Sequence, residues 1–309
     1  MEKQTAARLP YANFLRRVIS AVILLPFVVL AFWKGGLWLA LLVAIFAPLM
    51  AFEWAQLMAA KNPRLTVACL ILFLLTIIAL TAFADIYIGS MAMLFCLLCA
   101  FFIAPMISEY RQVLFGGLLY IGAPIFALLF LRAAENGALV IIYLALMVWA
   151  TDICAMLFGK TIGGAKLMPS ISPQKTWAGL IGGMIGAAGL GYLYAVLMTG
   201  GWLNNDILQD VTPILQNVKP IPLAILGAVC ALIAQAGDLF ESWLKRRHNV
   251  KDSGRLLPGH GGILDRVDGL VAVLVSAALF VFLYHRFFGM DNFFNTGDFN
   301  AAILLLWAH

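Results

Sequence analysis

The sequence predicts an all-α polytopic membrane protein of about nine transmembrane helices, with a cytoplasmic N-terminus and its polar residues gathered at cytoplasmic helix ends. Three observations predict it. Of 309 residues, 63% are hydrophobic and only 11% charged, with a mean hydropathy of +0.98, a composition foreign to soluble domains. The apolar residues fall in runs close to the ~20 that one helix needs to cross a hydrocarbon core. Lys and Arg are dense on alternate connections, which orients the bundle.

The first run, Val18 to Trp33, follows Arg16 and Arg17 and offers no small-x-small cleavage site, so it reads as a retained anchor rather than a signal peptide. Only Lys34 and Gly35 separate it from the second, Gly36 to Ala59, which allows a tight hairpin that does not fully cross. Leu65 to Ala84, Ile88 to Ile107, Leu114 to Leu131, Ala138 to Phe158, Trp177 to Met198, Ile221 to Leu244 and Gly269 to Phe288 complete the set. With the N-terminus inside, 16 of the 20 Lys and Arg lie on the cytoplasmic side, leaving Lys34, Arg132, Lys219 and Arg286 outside. The net charge of +5 follows from that asymmetry. It suits the anionic lipid of a cytoplasmic leaflet and is not a nucleic-acid footprint.

Two regions differ in character. Residues 1–131 form a transmembrane region with few polar residues inside its helices, and Glu53 there reads as a helix-end or structural hydrogen-bonding acid. Residues 132–309 form the region expected to carry chemistry, with cytoplasmic loops at 159–176 and 245–268. The five cysteines all lie in apolar runs, and Cys96-x-x-Cys99 has no partner ligands, which favours packing over metal or redox use. No internal repeat marks a secondary transporter.

Within the second region, "AQAGDLFESWLKRR" continues the eighth run as a two-faced helix. Gln235, Asp238, Glu241, Ser242 and Lys245 share one stripe that ends in cations, Arg246 among them. The following stretch, "KDSGRLLPGHGGILDRVDG", brings donors in Lys251, Arg255 and His260, and glycines, Gly261 and Gly262 among them, whose backbone N–H groups can approach an anion closely. Asp265 and Asp268 then stand three apart at the start of the ninth helix, hence on one face. Facing carboxylates repel unless a cation joins them, and oxygen-only ligands beside phosphate-binding cations suit Mg²⁺. Asp238, Asp265 and Asp268 are the expected metal ligands, and Arg266 and Lys251 the expected phosphate contacts.

The earlier loop holds "GKT" at Gly159 to Thr161, but Cys154 occupies the place of the first P-loop glycine and an apolar helix precedes it, so it is not a Walker A motif. "SPQKTW" leads into a helix N-terminus, which makes Ser172, Lys175 and Thr176 expected phosphate-binding residues. Asp152, near the end of the sixth run, is placed to reach the same site.

Ser242-x-x-Lys245-Arg246, Lys251-Asp252-x-Gly254 and Pro258-Gly259-His260-Gly261-Gly262-x-x-Asp265-Arg266-x-Asp268 together resemble the signature of the phosphatidate cytidylyltransferases, or CDP-diacylglycerol synthases. "ISPQKTWAGLIGG" and "GDLFES" resemble further segments of that family, over the C-terminal half of the chain. The resemblance implies a Mg²⁺-dependent, membrane-embedded, homodimeric nucleotidyltransferase of phospholipid biosynthesis. Such an enzyme converts CTP and phosphatidate to CDP-diacylglycerol and pyrophosphate. It also implies a metal centre on Asp238 and Asp265, with a second, monovalent cation nearby. Cytidine selection comes from the resemblance alone. "DRVDG" at Asp265 to Gly269 also begins like the CDP-alcohol phosphotransferase motif, but the similarity stops after those five residues.

Overall fold

The computed structural model describes residues 26–84, 86–107, 110–134, 136–199, 219–254 and 262–288. Eight helices among them are long and apolar enough to cross a membrane, in keeping with an integral, multi-pass membrane protein. They correspond to the second through ninth apolar runs. Of the first run only residues 26–34 are described, and they are helical.

The helices are α1 (Gly36–Leu57), α2 (Pro63–Ala79), α3 (Ile86–Met106), α4 (Arg111–Gly117), α5 (Ala123–Ala133), α6 (Gly137–Thr161), α7 (Trp177–Thr199), α8 (Pro220–Arg247) and α9 (Leu264–Phe288). A π-helical turn, Leu80–Ala84, extends α2, and another, Leu118–Gly122, joins α4 to α5 as one span. Proline sits in the first turn of α2 and α8, where its missing N–H has no intrahelical partner to lose.

Gly35 and Gly36, with φ of 63° and 48°, make the reversal between residues 26–34 and α1. Both angles are left-handed, a region that glycine enters at no steric cost. Arg132, at the end of α5, donates from Nε and a terminal nitrogen to the carbonyls of Phe32 and Trp33 at 2.7 and 2.6 Å. The carbonyls that end one helix are thus satisfied by the side chain of another. At the opposite end Asn62 Nδ2 donates to Ile107 O at 2.7 Å, tying the α1–α2 turn to the end of α3.

Two apolar cores fill the bundle. The first gathers α1 to α5 around Leu39, Leu70, Leu74, Ile77, Leu114 and Ile121, and it also takes in Leu244 of α8 with Ile263 and Leu264 at the start of α9. The second joins α5 to α9 around Tyr143, Met147, Ala187, Leu223 and Ala231. In a lipid solvent such packing rests on close contact rather than on water exclusion, so small residues mark the tightest crossings. On α7, Gly179, Gly182, Gly183 and Gly186 face α6, where an added Cβ would press on Ala155, Phe158, Thr151 and Cys154 respectively.

The 159–176 loop, expected to be irregular, contains an antiparallel hairpin of β1 (Lys166–Met168) and β2 (Ser172–Thr176). Lys166 pairs with Thr176 and Met168 with Ser172. The other polar loop is shorter than expected, because α8 runs to Arg247 and α9 begins at Leu264.

Gly182→Ala should lower the melting temperature in detergent, since its Cβ would overlap the Phe158 side chain and overpacking costs about 1–3 kcal/mol. Gly189→Ala, with nothing within 4 Å of its added Cβ, should leave it unchanged or slightly raised.

Candidate functional site

The polar stripe of α8 supplies the spine of the site. Ser242 Oγ donates to Asp238 Oδ1 at 3.3 Å one turn below, and Lys245 Nζ donates to Glu241 Oε1 at 3.3 Å. These are i, i+4 contacts that helical spacing dictates. Lys245 then crosses to α9, where its Nζ lies 2.7 Å from Asp265 Oδ1. Its side chain is 13% exposed and that of Glu241 fully buried, so the pair is far less screened than a surface bridge.

Asp265 is held on all sides. Oδ1 receives Lys245, the Ser253 N–H reaches both oxygens at 3.3 and 3.1 Å, and the Gly262 N–H donates to Oδ2 at 3.0 Å. The described ends of the glycine-rich stretch therefore do turn backbone N–H groups toward anions, and those anions are carboxylates of the protein. Glu53 is the second of them: fully buried on α1, it accepts the Ile263 N–H at 2.9 and 2.7 Å and the Leu264 N–H at 3.0 Å. The expectation of a structural hydrogen-bonding acid at Glu53 matches that geometry.

The α6–α7 connection approaches from the other side. Lys175, near the end of β2, places Nζ 2.7 Å from Asp238 Oδ2 and 3.4 Å from Gln235 O. Thr176 is buried, and its hydroxyl accepts the Gly179 N–H at 3.0 Å. It is the N-cap of α7, so its oxygen serves the helix here. Arg246 Nε reaches Ile171 O at 3.4 Å, and Ser172 sits half-buried on the same hairpin.

Gly237 decides how near the two acidic helices come. A Cβ there would stand 2.7 Å from Asp268 O and 2.7 Å from Ala272 Cβ, so the glycine lets α8 and α9 cross with Asp238 beside Asp268. Asp268 interacts electrostatically with both Asp238 and Asp152, and Glu241 with Asp268 and Asp265. Asp268 also lines an apolar cleft of ≈ 420 Å³ between spans, together with Tyr120, Phe240, Val271, Val275 and others. Lys251 is exposed and lines a second cavity of ≈ 670 Å³ against Phe52 and Gln56 of α1, which shares no lining residue with the first. Arg266 is exposed on α9. His260 and Gly261 lie outside the described residues.

Tyr120 carried no signal that sequence reading could use, and the partners of Glu241 were not legible. Tyr120 donates its hydroxyl to Glu241 Oε2 at 3.2 Å and stacks on Trp54 with ring centroids 5.2 Å apart. A tyrosine inside an apolar run looks like any packing aromatic. Glu241 was visible on the polar stripe, yet only the fold shows that it is buried between Tyr120 and Lys245.

Carboxylates dominate the cluster. Asp152, Asp238, Glu241, Asp265 and Asp268 are joined by mutual interactions, and the ion pairs found among them use two lysines. An excess of half-buried carboxylates favours a hard, oxygen-liganded ion. Among the described residues, no group of three or more His, Cys, Asp or Glu is arranged to hold a metal ion. Asp238 leans instead on Lys175 and Asp265 on Lys245.

A family model described as the cytidylyltransferase family matches residues 15–284. The protein named phosphatidate cytidylyltransferase in Brucella suis biovar 1 (strain 1330) is 34% identical over 282 residues, covering 88% of this chain and 93% of that one. The proteins of the same name in Rickettsia felis and Rickettsia bellii are 38% and 43% identical over 182 and 156 residues, covering 57% and 50% of this chain and 75% and 63% of theirs.

Thr176→Val should remove the α7 cap at a cost of about 1 kcal/mol, read as a lower melting temperature, whereas Thr176→Ser should restore it.

Proposed function

Because the chain belongs to the cytidylyltransferase family, we propose that it converts CTP and phosphatidate to CDP-diacylglycerol and pyrophosphate at the cytoplasmic face of a bacterial inner membrane. One observation supports the lipid substrate most directly. The charged cluster at Asp238, Lys245 and Asp265 adjoins, through Asp268, an apolar cleft between membrane spans. A substrate with a phosphate head and acyl chains needs both environments side by side. The relatives named phosphatidate cytidylyltransferase carry that substrate in their name.

In the proposed reaction a phosphatidate oxygen attacks the α-phosphorus of CTP. A new P–O bond forms as the bond between the α-phosphorus and its bridging oxygen breaks, and pyrophosphate departs with that electron pair. A phosphate monoester with a second pKa of about 6 is already largely dianionic at neutral pH, so no side chain need act as general base. Lys175 and Lys245, kept at the site by Asp238, Glu241 and Asp265, present ammonium groups to phosphate oxygens and to the departing pyrophosphate. Arg266, Arg246, Lys251, Ser172, Ser242 and His260 are further contacts for the triphosphate or the lipid head. Tyr120 and Glu241 keep Lys245 directed toward α9.

Mg²⁺ is the proposed cofactor, held by Asp238 and Asp268 with Asp265 beside them, and when bound it neutralises charge on the triphosphate. A second, monovalent cation would find an additional carboxylate in Asp152, which interacts electrostatically with Asp238 and Asp268.

Purified protein supplied with Mg²⁺, CTP and phosphatidate should release pyrophosphate and form a CMP-bearing lipid. Asp265→Asn should cut turnover by roughly two orders of magnitude or more while the protein remains folded. Lys245→Met should lower turnover to a similar degree, because it deprives two carboxylates of their partner. Full activity in Asp265→Asn would remove that residue from the site. No turnover with any nucleotide, alongside ion flux in liposomes, would favour a transporter instead.

A further inference from the structure

We infer that Glu53 is a positioning residue of this reaction: from α1 its carboxylate fixes the first turn of α9, and so sets where Asp265 and Asp268 stand relative to Asp238 and Lys245. The inference rests on the nucleotidyltransferase reading above and extends it to a part of the chain that carries none of the signature residues.

Glu53 is the only ionisable carboxylate on α1 and is 0% exposed. An uncompensated charge there would be prohibitively costly, so its partners explain its presence. They are the N–H groups of Ile263 and Leu264, 210 and 211 residues away. Leu264 opens α9, and a helix start leaves its first N–H groups without intrahelical acceptors. Such groups are ordinarily satisfied by a nearby Ser, Thr, Asp or Asn. Here a neighbouring span does so, with a charged acceptor that also favours the positive end of the helix dipole. The cap therefore fixes α9 laterally against α1 as well as satisfying its backbone.

Two glycines make room for the carboxylate. A Cβ on Gly254 would stand 2.6 Å from Glu53 Oε1, and one on Gly262 would stand 2.9 Å from Oε2. Both ends of the glycine-rich stretch thus close on the same side chain. The residue between those contacts and the acids is short: Ile263 and Leu264 immediately precede Asp265. Asp265 in turn accepts Lys245 at 2.7 Å.

A second route from α1 reaches the same place. Trp54, next to Glu53, donates Nε1–H to Val113 O at 2.8 Å and stacks on Tyr120. Tyr120 donates to Glu241, which shares Lys245 with Asp265. Adjacent residues of α1 therefore brace both partners of the Lys245–Asp265 pair, one through α9 and one through α8. A displacement of about 1 Å in reacting groups is enough to cost ~100-fold in rate.

Glu53→Gln tests this. The neutral amide keeps the shape but turns a two-oxygen acceptor into one oxygen and one N–H₂ donor aimed at backbone donors. The expected result has three parts, read on detergent-purified protein that is monodisperse. First, kcat falls at least about 10-fold while KM for phosphatidate changes less than about 2-fold. Second, amide hydrogen exchange quickens in the peptide holding Ile263 and Leu264. Third, exchange in α7 is unchanged. Wild-type kcat with unaltered exchange overturns the inference, and so does an activity loss that matches the unfolded fraction with kcat per folded molecule preserved. Should Glu53→Gln not be recovered folded, Gly254→Ala, which keeps the carboxylate but displaces it, is read by the same three measurements and overturns the inference if all are wild-type. Absence of pyrophosphate release by the wild-type enzyme would instead refute the nucleotidyltransferase reading, and the exchange comparison would still decide whether Glu53 holds α9.

Discussion

The ion pair between Lys245 and Asp265 is the contact on which the arrangement of the charged end of the bundle depends. It joins α8 to α9 at 2.7 Å with both side chains mostly buried. Removing one partner of such a pair would strand the other in an environment that solvates charge poorly. Around it the protein arranges a closed set of acceptors and donors: Glu241 shares the ammonium, Tyr120 serves Glu241, and two backbone N–H groups serve Asp265. The network leaves the lysine oriented and largely desolvated between the two carboxylates.

That network is possible only because the helices come close. Gly237 admits the α9 backbone at Asp268, and the glycines of α7 admit the side chains of α6. Both crossings use small residues where water exclusion gives no drive and van der Waals contact must supply it. Close crossing also brings acids together from α6, α8 and α9, and their mutual repulsion is the physical reason to expect a cation among them. The apolar cleft at Asp268 is lined by α8, α9 and the Leu119–Tyr120 turn, so the two acidic helices α8 and α9 also wall the cleft.

Much of this was legible in the sequence because polar residues stand out in an apolar chain. The stripe from Gln235 to Lys245 followed from helical spacing, and its i, i+4 contacts are present. Lys175 was picked out by its place before a helix start and does reach Asp238. The hairpin that carries it was not legible, since β1 and β2 are three and five residues long with no alternating pattern. Thr176 was read as an anion contact from the same helix-start logic, and in the structure its hydroxyl caps the helix. Both are answers to the same unsatisfied N–H groups, and local sequence does not say whether a side chain or a ligand supplies the acceptor.

By itself the sequence determined the class of the molecule, the approximate extent of the eight described spans and the family to which it belongs. Hydropathy, charge placement and motif spacing are properties of the chain read in order. Tertiary structure alone decided which carboxylate each donor meets across separate helices and loops. The N–H groups of the glycine-rich stretch, free on paper to bind any anion, are occupied at Gly262 by Asp265 and at Ile263 and Leu264 by Glu53. Tyr120 finds Glu241 across 121 residues. Pairings over such separations depend on how helices cross, and crossing is set by packing over many residues at once rather than by any local pattern.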